Sequence, residues 1–162
     1  MDKENIMLLM GEIKESRVVL DHINNLYESY RQNFISVEQR ELRDAVLLAD
    51  ILCNTYTCIE TILFRIARTF ENHLEPNQWH KELLRKMYID IPNIRKAVLS
   101  KESYQILDEL RRFRHFKRYY YDFDYDWLRL DYLRLIYEKL IPLIKNELNH
   151  YIDFLWECVD SP

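Results

Sequence analysis

Glycine is nearly absent from this chain, which has a single glycine among 162 residues. The phosphate-binding loops of P-loop proteins and of dinucleotide-binding folds need several glycines. Their tight turns and close contacts between backbone and phosphate leave no room for side chains. The sequence therefore excludes both of these nucleotide-binding classes.

Cysteine is also scarce. Cys53, Cys58 and Cys158 make an odd number, and no two of them have C-x-x-C spacing. This usage argues against a disulfide framework and is typical of reduced thiols in a cytoplasmic protein. We expect all three cysteines to be small core residues.

Signals for secretion and membrane insertion are missing as well. The opening residues, MDKENIMLLMGEIKES, are acidic and periodic, whereas a signal peptide has a basic region followed by an apolar run. We find no apolar stretch that approaches the length needed to span a bilayer. The sequence thus predicts a cytoplasmic protein without a membrane partner.

An overall excess of positive charge is absent too, since the formal net charge is -4. This charge argues against a protein covered in nucleic acid, but it leaves room for a local basic patch facing a phosphate chain. A chain of this length can form one domain that buries roughly 70% of its unfolded surface. With no repeat, linker or low-complexity segment, we predict a single domain over residues 1–162.

Apolar residues recur at helical spacing along most of the chain. The pattern predicts two long helices, over residues 6–30 and 42–70, separated by the segment NFISVEQ. Ser36 is the predicted cap of the second helix, with Gln39 as its partner three residues later.

Three further helices follow in the prediction. A shorter helix over 79–87 ends before Pro92, a fourth begins at Ser100, and a last long helix from about Leu128 should kink at Pro142. Four or five helices with short connections predict an all-α, up-and-down bundle.

Histidine and carboxylate patterns for a metal site are incomplete. Glu147 and His150 form one E-x-x-H pair, but a di-iron bundle needs a second such pair, which this sequence does not contain. His73 and His80 flank the LEPNQW loop without zinc-site spacing, which favours hydrogen bonding in the loop. We therefore predict no metal and no cofactor.

The segment RRFRHFKRYYYDFDYDW, residues 111–127, combines cations with aromatic side chains. On an ideal helix, Arg111, His115 and Arg118 lie opposite the apolar face, and Arg114 lies on the border between the two faces. Two arginines can hold a phosphodiester while the histidine transfers protons, which is sufficient for RNA cleavage through the 2′-hydroxyl.

The same cations have a purely structural interpretation. Arginines near a helix C-terminus complement the helix dipole and pair with nearby carboxylates. Here the arginines are Arg111, Arg112 and Arg118, and the carboxylates are Asp108, Asp122, Asp124 and Asp126.

Three blocks of the sequence carry a family resemblance: WHKELLRKM (79–87), IPNIRKAVLSKESYQILDELRRFRHFKRYYY (91–121) and DFDYDWLRL (122–130). The chain resembles the HepT-like branch of the HEPN superfamily over most of its length. This resemblance implies an all-helical homodimer whose motif helices meet at a cleft. It also implies, in active members, a metal-independent ribonuclease that is the toxin of a toxin–antitoxin pair and is encoded beside a minimal nucleotidyltransferase.

The family motif is Arg, four residues, His, one residue, Tyr. It maps onto Arg114, Tyr119 in the histidine position, and Tyr121. A phenol with a reference pKa of about 10 is a poor general base at neutral pH. His115 can replace the missing histidine, Arg114 and Tyr119 can act by positioning alone, or the fold can persist as a binding partner without catalysis.

Spacing adds a geometric condition. Five residues separate Arg114 and Tyr119 by about 140° on a straight helix, so they converge only if the helix ends between them or across a dimer axis. Arg111 and His115 are about 40° apart, which makes His115 the preferred acid/base candidate within one chain. Arg111, Lys117 and Arg118 are the predicted RNA phosphate-binding residues.

Tyr121 matches the tyrosine that receives AMP from the partner nucleotidyltransferase in some systems of the family. Added nucleotides would bring negative charge and bulk into a cationic cleft and repel RNA. Two functions remain open at this point. One is an endoribonuclease toxin that acts on tRNA or mRNA, and the other is a dimer that binds RNA, nucleotide or its nucleotidyltransferase without cutting.

Overall fold

Five α-helices account for most of the chain in the computed structural model, which describes residues 3–71, 79–119 and 122–160. In chain order they are α1 (Lys3–Ile35), α2 (Leu42–Phe70), α3 (Trp79–Met87), α4 (Lys101–Tyr119) and α5 (Trp127–Asp160). No strand occurs among the described residues, so the predicted all-α bundle is confirmed.

Helix α2 is the central element, because it packs against each of the other four helices. Its apolar side chains recur every three or four residues and are almost completely buried, including Leu48, Leu52, Tyr56, Ile59, Leu63 and Ile66. Each such side chain stabilises the fold by about 1.5–3 kcal/mol relative to its exposed state. The long helices α1 and α5 complete this core.

The N-terminus of α2 is capped differently from the prediction. The carboxylate of Asp44 accepts a hydrogen bond of 2.7 Å from the backbone N–H of Glu41, and the helix begins at the next residue. Ser36 instead lies in a turn, where its carbonyl accepts the N–H groups of Gln39 and Arg40. The prediction of a cap at Ser36 was wrong because the turn after α1 uses those backbone donors.

Helix α4 begins at Lys101, next to its predicted start at Ser100, and Ser100 caps its N-terminus. The hydroxyl of Ser100 accepts a hydrogen bond of 3.1 Å from the N–H of Ser103. Glu147 reaches the same helix end from α5, accepting bonds from the backbone of Ser100 and the hydroxyl of Ser103. The E-x-x-H carboxylate is thus a capping group, and His150 is exposed.

The connection between α3 and α4 holds α3 against the end of α2. Asn93 has a φ of 64°, and the Ile94 N–H bonds to the Ile91 carbonyl, as in a turn with proline followed by a left-handed residue. The buried guanidinium of Arg95 pairs with Glu71 at the end of α2. It also donates to the carbonyl of Lys86 in the last turn of α3. These bonds fix the position of α3 beside α2.

Helix α5 continues through Pro142 to Asp160. Its start at Trp127 agrees with the predicted start near Leu128, and the Asp126 carboxylate accepts the Leu128 N–H. The predicted kink at Pro142 stays a prediction.

Among the described residues, one helix is long and apolar enough to cross a membrane by length and composition, whereas no such stretch was expected from the sequence. This helix is α2, and 61% of its most apolar part is buried inside the bundle. Such burial is typical of the core helix of a soluble protein.

Candidate functional site in a cationic depression

Helices α2, α3 and α4 surround an open depression of about 680 Å³. It combines three cations with one carboxylate, one histidine and two small side chains, and its lining residues are Cys53, Thr57, Glu60, His80, Arg114, Lys117 and Arg118. Residues 91–100 and the caps described above determine how α3 and α4 meet α2 here.

Glu60 lies at the base of the depression and is only 5% exposed. Its carboxylate accepts hydrogen bonds from the Tyr56 hydroxyl at 2.7 Å and from Arg114 Nη1 at 2.8 Å, and it also bonds to His80 Nδ1. Burial, together with the Glu60 charge, raises the pKa of the Tyr56 phenol, so this hydroxyl stays protonated and donates. One carboxylate therefore joins side chains from three helices.

Arg114 is anchored within its own chain. Its Nη1 also donates to the Thr57 hydroxyl at 3.0 Å, and its guanidinium carbon lies 5.0 Å from the centre of the Tyr56 ring. The side chain is 15% exposed. No hydrogen bond from its Nε or Nη2 is seen within the described part of the chain, so these donors are available to an anion.

Lys117 and Arg118 lie one turn further along α4. Lys117 pairs with Asp50 of α2. Burial alone would lower the Lys117 pKa, but the hydrogen bond to Asp50 and the nearby groups Cys53, Asp50 and Tyr125 together raise it. Arg118 is exposed and makes no hydrogen bond or ion pair within the described ranges. Burial raises the pKa of the neighbouring Cys53 thiol to about 11, so it is no nucleophile at neutral pH.

His115 and Tyr119 do not line the depression. They lie on the exposed side of α4, where their rings are 4.8 Å apart, and Tyr119 is 69% exposed. Helix α4 runs without a break through Tyr119, so the condition that the helix ends after Arg114 is not met. Within one chain, Arg114 and Tyr119 therefore diverge.

No hydrogen bond joins Arg111 to His115 among the described residues. Arg111 Nε bonds instead to Asp108 at 2.8 Å, and Arg112 pairs with both Asp108 and Glu109. The structural interpretation is thus confirmed for two arginines. For Arg118 the structural interpretation is not confirmed, because no carboxylate partner is seen among the described residues.

Two predicted positions lie outside the described residues. These are Tyr121, the predicted modification site, and His73. Among the described residues, no three His, Cys, Asp or Glu side chains are grouped closely enough to hold a metal ion.

Glu60 and His80 were not predicted as site residues. His80 lies in the first turn of α3, within the predicted helix over 79–87, and it reaches the Glu60 carboxylate across the gap to α2. The available signal was Glu60 itself. It is a carboxylate in the apolar stripe of α2, four residues after Tyr56 and three before Leu63.

The fold and the depression define an all-helical protein that presents arginine, lysine and histidine around one buried carboxylate. The family model described as HepT-like protein matches residues 47–155, which is more than half of the chain. The chain belongs to this HepT-like family of the HEPN superfamily, as its sequence resemblance indicated. Searches of curated proteins and of solved structures gave no significant match.

Proposed function

We propose that this protein is a metal-independent endoribonuclease and the toxin of a toxin–antitoxin pair in the cytoplasm. The observation that carries the proposal is the position of Arg114. This motif arginine lines an open cationic depression, with its Nη1 held by Glu60 and Thr57 and with Arg118 beside it. Such an arrangement can hold the phosphate of a single RNA strand.

A homodimer is part of the proposal, because α4 continues between the two motif positions. Apolar side chains remain exposed on α4, on the loop after it and on one face of α5: Tyr119, Phe123, Leu128, Tyr132 and Leu135. Leu128, Tyr132 and Leu135 are spaced by four and three residues and so form one stripe. A second copy that covers this stripe would bring the two motif helices together.

A cognate minimal nucleotidyltransferase is the proposed antitoxin, with Tyr121 as the residue that it modifies with AMP. The support is family membership and the position of Tyr121 three residues after Arg118, the cation without a described partner. An attached nucleotide there would compete with RNA for the cations of α4.

A second candidate function is a dimer that binds RNA, nucleotide or the nucleotidyltransferase without cutting. Two observations favour it: the motif histidine is replaced by the exposed Tyr119, and Arg114 is already paired with Glu60. In that case the depression recognises an anion and performs no proton transfer.

Incubation of purified protein with tRNA or total RNA in excess chelator separates the two functions. We expect the wild type to cut and Arg114→Ala to lose about 10²–10³-fold in rate, the usual cost of removing a donor that stabilises developing negative charge. Arg112→Ala is the matched control, since Arg112 lies on the same helix and pairs with Asp108 and Glu109 away from the depression. RNA binding without any cutting would establish the second function, and cutting that Arg114→Ala leaves unchanged would refute the assigned site.

A further inference from the structure

We propose that His80 is the proton-transfer residue of this site and that Glu60 is its positioning residue. The inference rests on the proposed ribonuclease function. It assigns proton transfer to a residue of α3, because Tyr119 and His115 both lie outside the depression.

The geometry connects His80 directly to the phosphate-binding arginine. Oε1 of Glu60 bonds to Nδ1 of His80, and Oε2 of the same carboxylate accepts Arg114 Nη1 at 2.8 Å. The histidine and the arginine are thus separated by the width of one carboxylate. The His80 side chain is 33% exposed, whereas that of Glu60 is 7% exposed, so the histidine faces the depression and the carboxylate lies behind it.

The other described histidines are placed differently. His22 on α1 and His150 on α5 are exposed and line no part of the depression. His115 is exposed on α4 and packs against Tyr119. Among the residues that the structure describes, His80 alone brings an imidazole into the depression that contains Arg114.

The carboxylate also selects which nitrogen of the imidazole acts. A carboxylate at Nδ1 holds the proton of the neutral ring there, which makes Nε2 the basic nitrogen. A buried carboxylate behind a histidine also stabilises the imidazolium that forms when Nε2 takes a proton. Glu60 thus prepares His80 to act as a general base.

The reaction that this arrangement supports is transesterification of RNA. Nε2 of His80 takes the proton of the 2′-hydroxyl, the 2′-oxygen forms a bond to phosphorus, and the bond from phosphorus to the 5′-oxygen breaks. The leaving 5′-oxygen takes a proton from water, and His80 later returns its proton to the solvent. The products are a 2′,3′-cyclic phosphate and a 5′-hydroxyl, while Arg114 and Arg118 hold the non-bridging oxygens.

The test uses His80→Asn, because the asparagine amide can still donate to Glu60 but cannot accept a proton at neutral pH. Single-turnover cleavage of an RNA oligonucleotide in chelator should fall about 10²–10⁴-fold. The dissociation constant for the same RNA, measured with a 2′-deoxy substitution at the cut, should change less than about threefold. His22→Asn is the matched control and should cut at the wild-type rate.

Two readouts separate catalysis from a structural role. Cleavage that uses a general base should become faster as the pH rises, and His80→Asn should lack this rise. The charged groups facing His80 across the depression are Glu60 of α2 and Arg114, Lys117 and Arg118 of α4, with Asp50 of α2 paired to Lys117. In His80→Ala, added imidazole should restore cutting at least tenfold, which it would not do for a residue needed only for packing.

The outcomes are distinguishable. If the wild type cuts and His80→Asn cuts equally fast, the role of His80 is refuted and the ribonuclease stands. If His115→Asn abolishes cutting while His80→Asn does not, His115 is the base. If folded wild type binds RNA but never cuts it, the proposed function fails and this inference fails with it.

Discussion

At the scale of single residues, carboxylates that accept several donors join the helices of this protein. Glu60 does so in the depression, and Glu138 does so between α1 and α5. Glu138 accepts hydrogen bonds from Tyr27, Arg31 at 2.8 Å and Arg134 at 3.2 Å. Burial alone would raise the Glu138 pKa, but the bonds from Arg31 and Tyr27 and the nearby Arg134 charge together lower it below its ordinary value of 4.5.

The lowered pKa of Glu138 predicts how stability depends on pH. A carboxyl whose pKa is lower in the folded state stabilises the fold above its unfolded pKa, and this stabilisation is lost as the pH falls through the folded value. We expect Glu138→Gln to reduce the free energy of unfolding by about 1 kcal/mol at pH 7. The difference from the wild type should shrink below pH 4.5.

Urea denaturation of both proteins at pH 7 and at pH 3.5 measures this difference. Glu28→Gln is the control. Glu28 is an exposed carboxylate on α1, close in sequence to Tyr27 and Arg31, the α1 residues that bond to Glu138. A difference that stays constant between the two pH values would contradict the argument.

At the scale of helices, the ends of α2 and α4 determine where the site residues lie. Residues along α4 can reach α2 only if α4 begins at the correct place, and Ser100 and Glu147 together satisfy its first backbone donors. The cap fixes where α4 begins, and so it also fixes the positions of Arg114 and Lys117 relative to α2.

We expect Ser100→Ala to reduce the free energy of unfolding by about 1 kcal/mol, since an N-cap hydroxyl accepts one otherwise unsatisfied backbone N–H. Thermal or chemical denaturation followed by circular dichroism measures the loss. Ser100→Asp should retain most of the stability of the cap, although its charge lies near Glu147. An unchanged free energy of unfolding in Ser100→Ala would show that Glu147 alone caps α4.

Helix positions could largely be predicted from the sequence, because apolar periodicity is a local property of the chain. The start of α4 at Ser100 followed from the same local pattern. The cap of α2 could not be predicted in this way. Ser36 and Asp44 both lie near the start of the apolar stripe, and the turn after α1 determines which of them caps the helix.

The site was less predictable than the helices. Arg114, Lys117 and Arg118 were predicted from one segment, and all three line the depression. The contact between Glu60 and His80 joins positions 20 residues apart on two helices, and it depends on how α3 docks. No spacing rule within one helix predicts such a contact, so His80 was predicted only to form hydrogen bonds with the loop that it flanks.

At the scale of the whole molecule, the bundle has a frame of three long helices, α1, α2 and α5, and a site on α2, α3 and α4. The match to the HepT-like family begins within α2 and so does not include α1. Helix α1 nevertheless supplies fully buried side chains to the core, including Ile6, Leu9, Ile13, Tyr27 and Phe34. In this chain α1 therefore completes the core.

The exposed stripe on α5 gives a prediction for the assembly. Leu128 is 80% exposed, so Leu128→Asp should affect the fold of one chain very little while placing two charges in the proposed interface. We expect the wild type to sediment as a dimer at micromolar concentration and the variant as a monomer. Leu8→Asp is the matched control, because it introduces the same charge at an exposed leucine of α1 outside the stripe. Identical sedimentation of wild type and Leu128→Asp would place any interface elsewhere.

The ion pairs in the depression also bear on how the protein meets polyanions in general. Arg114 and Lys117 are each neutralised by a carboxylate of α2, Glu60 and Asp50, which leaves Arg118 as the cation of the depression without a described ion pair. Attraction to nucleic acid grows with the number of phosphates that the protein neutralises, so a depression with one such cation should bind RNA in general only weakly. Under the proposed function, a strand would be retained only where its phosphate reaches the remaining donors of Arg114 together with Arg118.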